Sequence, residues 1–103
     1  MDLPLEYLAN HHARARGGIV VDASETGFLI YSIEDIPVGM DLKIDVFFPR
    51  GYELANFKVF GKVVWRKVDV GERVNTYRYG LTFVQIVEEE YWKLKGLLYG
   101  RPR

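Results

Sequence analysis

The residues with the clearest chemical potential lie in the run Asp22-Ala23-Ser24-Glu25-Thr26-Gly27, where an acid, a hydroxyl and a glycine cross a turn between two strand-like stretches. Turn chemistry alone accounts for them. Asp and Ser side chains satisfy free backbone N–H groups, and Gly27 permits a positive φ. The same groups can also hydrogen-bond the donors and acceptors of a purine edge, with Gly27 letting a planar ring approach the backbone. Other chemistry is poorly supported. His11 and His12 are adjacent, so on an extended chain they point to opposite faces and make a poor metal pair. Glu88, Glu89 and Glu90 suit the first turn of a helix better than an acid and base pair. Ser24 has no neighbouring base to activate it, and no P-loop or dinucleotide fingerprint occurs. No nucleophile and base pair, metal cluster or cofactor cradle can be assembled, which points away from an enzyme.

The elements that must position the turn are mostly strands. The chain has 103 residues, enough for one domain spanning 1–103 and too few for two. It has no cysteine, which removes thiol catalysis, thiolate zinc sites and disulfides. Its 14 basic residues are balanced by 14 acidic ones, an argument against DNA or RNA as a non-specific partner, while a local site for a small anion stays open. No apolar run approaches the ~20 residues of a membrane-spanning helix. The N-terminus lacks the basic start and apolar core of a secretory signal, so a cytoplasmic location is expected.

Apolar residues alternate with period two in runs rich in β-branched and aromatic side chains. Strands are expected at Leu3 to Ala9, Ile19 to Asp22, Phe28 to Ser32, Leu42 to Phe48, Phe57 to Arg66 and Thr76 to Val84, the first three pairing successively. In the fifth, Phe57, Val59, Gly61, Val63 and Trp65 share one face, which assigns Trp65 to the core, and Gly61 suggests a bulge or bend. Val68 to Asn75 reads as a polar loop. A closing helix carries Glu88, Glu89 and Glu90 in its first turn, allows a Glu89 to Lys93 pair, turns Tyr91, Leu94, Leu97 and Leu98 to one side, and stops at Gly100 and Pro102. The expected fold is all-β with one C-terminal helix, a six-stranded antiparallel β-barrel.

The run Asp22-x-Ser24-x-x-Gly27, preceded by Gly18-Ile19-Val20-Val21 and followed by Phe28-Leu29-Ile30, resembles the Asp/Asn-x-Ser-x-x-Gly signature of PilZ domains. The remaining order is similar too: the Ile36-Pro37-Val38-Gly39 break, the strand from Leu42 to Phe48, Gly61-Lys62-Val63-Val64-Trp65, Tyr79-Gly80-Leu81-Thr82-Phe83 and the final helix. The resemblance covers roughly residues 3 to 98. It implies a receptor that binds the bacterial second messenger cyclic di-GMP through Asp22, Ser24 and Gly27, with no other cofactor. The signal would pass to a protein effector of motility, pilus, polysaccharide or transcription machinery.

The family's second binding piece, an Arg-x-x-x-Arg segment before the first strand, has no counterpart here. Only Met1 and Asp2 precede Leu3, and Arg14 and Arg16 are two apart, with His12 four before Arg16. An extended strand from Arg16 to Asp22 also travels about 20 Å, placing those arginines at the far end of the hairpin. The start of the first strand lies beside Asp22 instead, so an arginine segment belongs beyond that end, either outside the sequence in hand or never part of the protein. Each missing charged hydrogen bond removes roughly 1.5 to 3 kcal/mol, enough to lower affinity by orders of magnitude. A PilZ-fold interaction module without nucleotide binding is therefore the alternative function. Self-association through the helix or an uncovered strand edge is a further partner that the sequence allows.

Overall fold

The structure is a computed structural model that describes residues 2–9 and 14–100, so His11, His12 and Pro102 lie outside the described residues. Six strands, β1 (Leu3–Ala9), β2 (Arg16–Ala23), β3 (Gly27–Ser32), β4 (Asp41–Arg50), β5 (Glu53–Asp69) and β6 (Thr76–Gln85), precede one helix, α1 (Glu88–Tyr99). All neighbouring strands are antiparallel, and the order β1-β2-β3-β6-β5-β4 closes through β4 onto β1. Closure leaves no uncovered edge strand among the described residues, which removes the edge-pairing route to self-association.

Alternation fills the interior. Leu5, Tyr7, Val20, Phe28, Ile30, Leu42, Ile44, Val46, Phe57, Val59, Val63, Tyr79 and Leu81 are buried, and Ile36 and Leu94 join the same core from outside the strands. Phe28 is its aromatic centre, with Phe57 at 6.0 Å and Phe83 edge-on at 4.7 Å between ring centroids. Each such side chain contributes ~1.5–3 kcal/mol by leaving water.

One end of the barrel is shut by hydrogen bonds. The Tyr79 hydroxyl, fully buried, accepts the Ile36 N–H at 2.7 Å and donates to the Glu34 carbonyl at 2.6 Å. Beside it the Ser32 hydroxyl lies 3.2 Å from that of Tyr7, donates to the Gly17 carbonyl and accepts the Glu34 N–H. The segment after β3 is thereby tied across the opening.

Three expectations need correction. β5 is longer than Phe57 to Arg66, and Val68 and Asp69 belong to it rather than to a loop. They pair with Tyr77 and Thr76, and Asp69 accepts two hydrogen bonds from the Arg78 guanidinium at 3.0 and 3.1 Å, which extends the ladder through polar residues. The irregularity near Gly61 falls on β6, where Val84 is the extra residue between the Phe60–Gln85 and Gly61–Phe83 pairs. In α1 it is Glu90, one turn before Lys93, that holds that lysine at 2.9 Å, the i,i+3 spacing winning over Glu89. Gly100 ends the helix at φ 79°, a conformation that favours glycine.

Candidate ligand-binding site

Two bulges decide which side chains reach the outer surface near the motif. Val20 pairs with Ile30 and Asp22 with Leu29, so Val21 is an unpaired extra residue in β2. In β5, Val63 pairs with Leu81 and Trp65 with Gly80, which leaves Val64 extra. One inserted residue exchanges the faces of everything beyond it. Without the first bulge Val21, not Asp22, would stand opposite Leu29. Without the second, Trp65 would oppose Tyr79 and point into the core. Trp65 is instead 46% exposed, overturning its assignment to the interior.

Directly opposed residues in antiparallel strands share a face. Asp22 opposes Leu29, Leu29 opposes Gly80, and Gly80 opposes Trp65, so these four form a single row across β2, β3, β6 and β5. Gly80 is required in that row. A Cβ there would overlap the indole of Trp65, whose ring lies against the β6 backbone. The row and the β2–β3 turn bound an open cavity of about 310 Å³, lined by Asp22, Ser24, Thr26, Leu29, Trp65 and Gly80 among others. Leu29 and Gly80 contribute apolar surface to it, Asp22, Ser24 and Thr26 contribute a carboxylate and two hydroxyls, and the Trp65 indole borders it. Those are the requirements of a planar heteroaromatic ring with polar edges.

Within the turn, Ser24 N–H donates to the Gly27 carbonyl at 3.0 Å, and the Ser24 hydroxyl accepts the Thr26 N–H at 3.2 Å. The same hydroxyl lies 3.2 Å from that of Thr26 and 3.4 Å from the Gly27 carbonyl. Asp22 accepts the Ala23 N–H at 2.9 Å through one carboxylate oxygen, leaving the other facing solvent. Gly27 does not use a positive φ, contrary to the expectation. Its reason is proximity: a Cβ would overlap the Leu81 carbonyl oxygen of β6, and the turn is held there by Phe83 N–H donating to Thr26 O at 2.8 Å.

Glu25 reaches the opposite way. Its carboxylate accepts the Tyr91 hydroxyl at 2.5 Å and the Tyr99 hydroxyl at 3.1 Å, with Lys95 Nζ 3.8 Å away. The two tyrosine hydroxyls hold its carboxyl below the ordinary value, and Glu25 in return pushes both tyrosines up.

The sequence-derived residues Asp22, Ser24 and Gly27 are thus brought together, and Trp65 is added to them. Among the described residues no arginine or lysine lines the cavity. Leu3 pairs with Val20, which puts the start of β1 beside the motif, whereas Arg16 pairs with Tyr7 at the other end of β2 and lies 3.6 Å from Glu34. The described residues contain no group of three or more side chains able to hold a metal, and no helix among them is long and apolar enough to cross a membrane.

The PilZ domain family model matches residues 1–100. No curated protein sequence matches the chain. Among solved structures, apo MrkH from K. pneumonia is similar over 95% of this chain and 45% of its own, with a TM-score of 0.75 and 12% identity. The Bacillus subtilis inhibitor of motility, MotI/DgrA, is similar over 98% of this chain and 50% of its own (TM-score 0.70, 11% identity). The PilZ domain of YcgR from Escherichia coli, solved with cyclic di-GMP, is similar over 95% of this chain and 79% of its own (TM-score 0.71, 11% identity). The chain therefore spans about half the length of the first two, and at these identities the likeness is one of fold.

Proposed function

The chain belongs to the PilZ domain family, and from that premise we propose that it is a receptor module for cyclic di-GMP that relays occupancy to a protein partner. The observation that carries this reading is the single cavity shared by Asp22, Ser24, Thr26 and Trp65 with the apolar surface of Leu29 and Gly80. A guanine ring stacks on the Trp65 indole, and its N–H edge donates to the Asp22 carboxylate, a charge-assisted contact. The Ser24 and Thr26 hydroxyls take the remaining polar positions. Gly27 and Gly80 keep the surface free of Cβ atoms that would push β3, β6 and the indole apart.

That no cationic side chain among the described residues lines the cavity favours a second reading, a PilZ-fold interaction module without nucleotide. Phosphates in a site without Arg or Lys lack their usual charged donors. Calorimetric titration of the chain with cyclic di-GMP, with GMP as control, separates the two. A dissociation constant in the micromolar range or below supports the receptor, and cations outside the cavity rim are then to be mapped by mutation. No heat at tens of micromolar ligand sinks it in favour of the interaction module.

A further inference from the structure

The β2–β3 turn has two sides. Ser24 and Thr26 line the cavity, whereas Glu25 between them faces α1 and takes the hydroxyls of Tyr91 and Tyr99. Among the described residues little else polar fastens that helix. It has 12 residues, its N-cap position Val87 offers no side-chain hydrogen bond, and Leu94 is its one fully buried residue. Isolated helices of this length are marginal in water, so docking contacts decide whether it forms. Its covalent link to β6 through Ile86 and Val87 fixes where it starts, while Tyr99, its last residue, is brought back to Glu25.

We infer that Glu25 is a positioning residue that fastens α1 to the ligand turn, so that ligand uptake on one side of the turn and helix docking on the other strengthen each other. The inference rests on the receptor reading above. A turn already ordered from the helix side loses less freedom when a ligand orders it from the cavity side. By reciprocity the ligand tightens the helix by the same factor. The helix is then the element that reports occupancy. Its Trp92 is exposed, and with the β4–β5 turn it borders a groove of about 1410 Å³ whose shape changes with docking.

Amide hydrogen exchange and calorimetry on the full chain test this, comparing the parent with Glu25→Ala, Glu25→Gln and the double variant Tyr91→Phe/Tyr99→Phe. Without ligand, Glu25→Ala and the double variant exchange the α1 amides faster than the parent while β3 and β6 stay protected. Cyclic di-GMP slows α1 exchange in the parent about fivefold or more, and the dissociation constant rises by a similar factor in those two variants. Glu25→Gln keeps an acceptor and recovers part of both effects. Unchanged α1 exchange in ligand-free Glu25→Ala overturns the fastening. Faster α1 exchange with parental affinity overturns the coupling. A parent that takes up no ligand overturns the receptor reading and the coupling together, while the ligand-free exchange still decides whether Glu25 holds the helix.

Discussion

The two ends of the barrel use the same residue types for opposite purposes. At the closed end, the hydroxyls of Tyr79 and Ser32 bond backbone groups of the crossing segment, and Tyr79 is shut off from water. At the opposite end, where α1 docks, the hydroxyls of Ser24 and Thr26 bond neighbours inside one exposed turn, and those of Tyr91 and Tyr99 bond a single carboxylate. A hydroxyl satisfied by buried backbone is structural because removing it strands donors and acceptors in a place water cannot reach. A hydroxyl at a solvent-facing turn can change partner at little expense. The difference lies in burial and partner, not in the side chain.

The contrast breaks most sharply at Tyr79. Tyr79→Ala removes a fully buried ring and should lower unfolding free energy by ~3–5 kcal/mol. Tyr79→Phe strands the Ile36 N–H and the Glu34 carbonyl and should lower it by ~1–3 kcal/mol. Urea denaturation reads both, and a Phe variant as stable as the parent would show that water satisfies those groups and that this end is not closed. At the other end stability and binding should separate. Asp22→Ala should leave the urea midpoint near that of the parent while weakening cyclic di-GMP by ~1.5–3 kcal/mol, and Ser24→Ala by ~0.5–1.5 kcal/mol. If both bind like the parent, the turn is only a turn.

Trp65→Ala sharpens the same separation. Base stacking on an aromatic is worth ~1–3 kcal/mol, so affinity should drop while the half-exposed site tolerates the truncation. A large loss of stability instead would mean that the indole is a packing element over Gly80. The smallest effect is in pH. The Glu25 carboxyl is lowered in the fold, so its contribution to helix docking is intact above the ordinary value of 4.5 and is lost as pH falls through its lower folded value. Tyr91 and Tyr99 are raised, so theirs is intact below 10.0 and is lost as pH rises through their higher folded values. Trp92 fluorescence in a Trp65→Phe background should report loosening of α1 at both extremes and a plateau between them, and a signal flat across both would remove Glu25 as a fastening point.

Strand and helix placement was legible because buried side chains follow the period of each element, as in Leu42, Ile44, Val46 and Phe48. The motif turn was legible from Asp22, Ser24 and Gly27. Trp65 was not, because strict alternation from Phe57 onward assigns it to the core, and nothing local announces that Val64 is skipped. A signal existed one strand away: Gly80, a glycine in the middle of β6, marks a close approach by another group. The extension of β5 through Val68 and Asp69 was hidden because its outer residues are polar and the Arg78–Asp69 pairing joins residues nine apart. The contact between Glu25 and Tyr99 spans 74 residues, beyond any local pattern.

The bulge at Val64 gives this surface an unusual unit of change. Substitution can alter what Trp65 is, but the bulge decides which way it faces: deleting Val64 would leave Val63 opposite Leu81 and Trp65 opposite Gly80 in an uninterrupted ladder, whereas the same sequence paired without the bulge would turn the indole to the Tyr79 side. Val21 stands in the same relation to Asp22. The character of the outer row is therefore written in register as much as in composition: with both bulges it presents an acid and an aromatic, and the same sequence in unbroken pairing would present two valines.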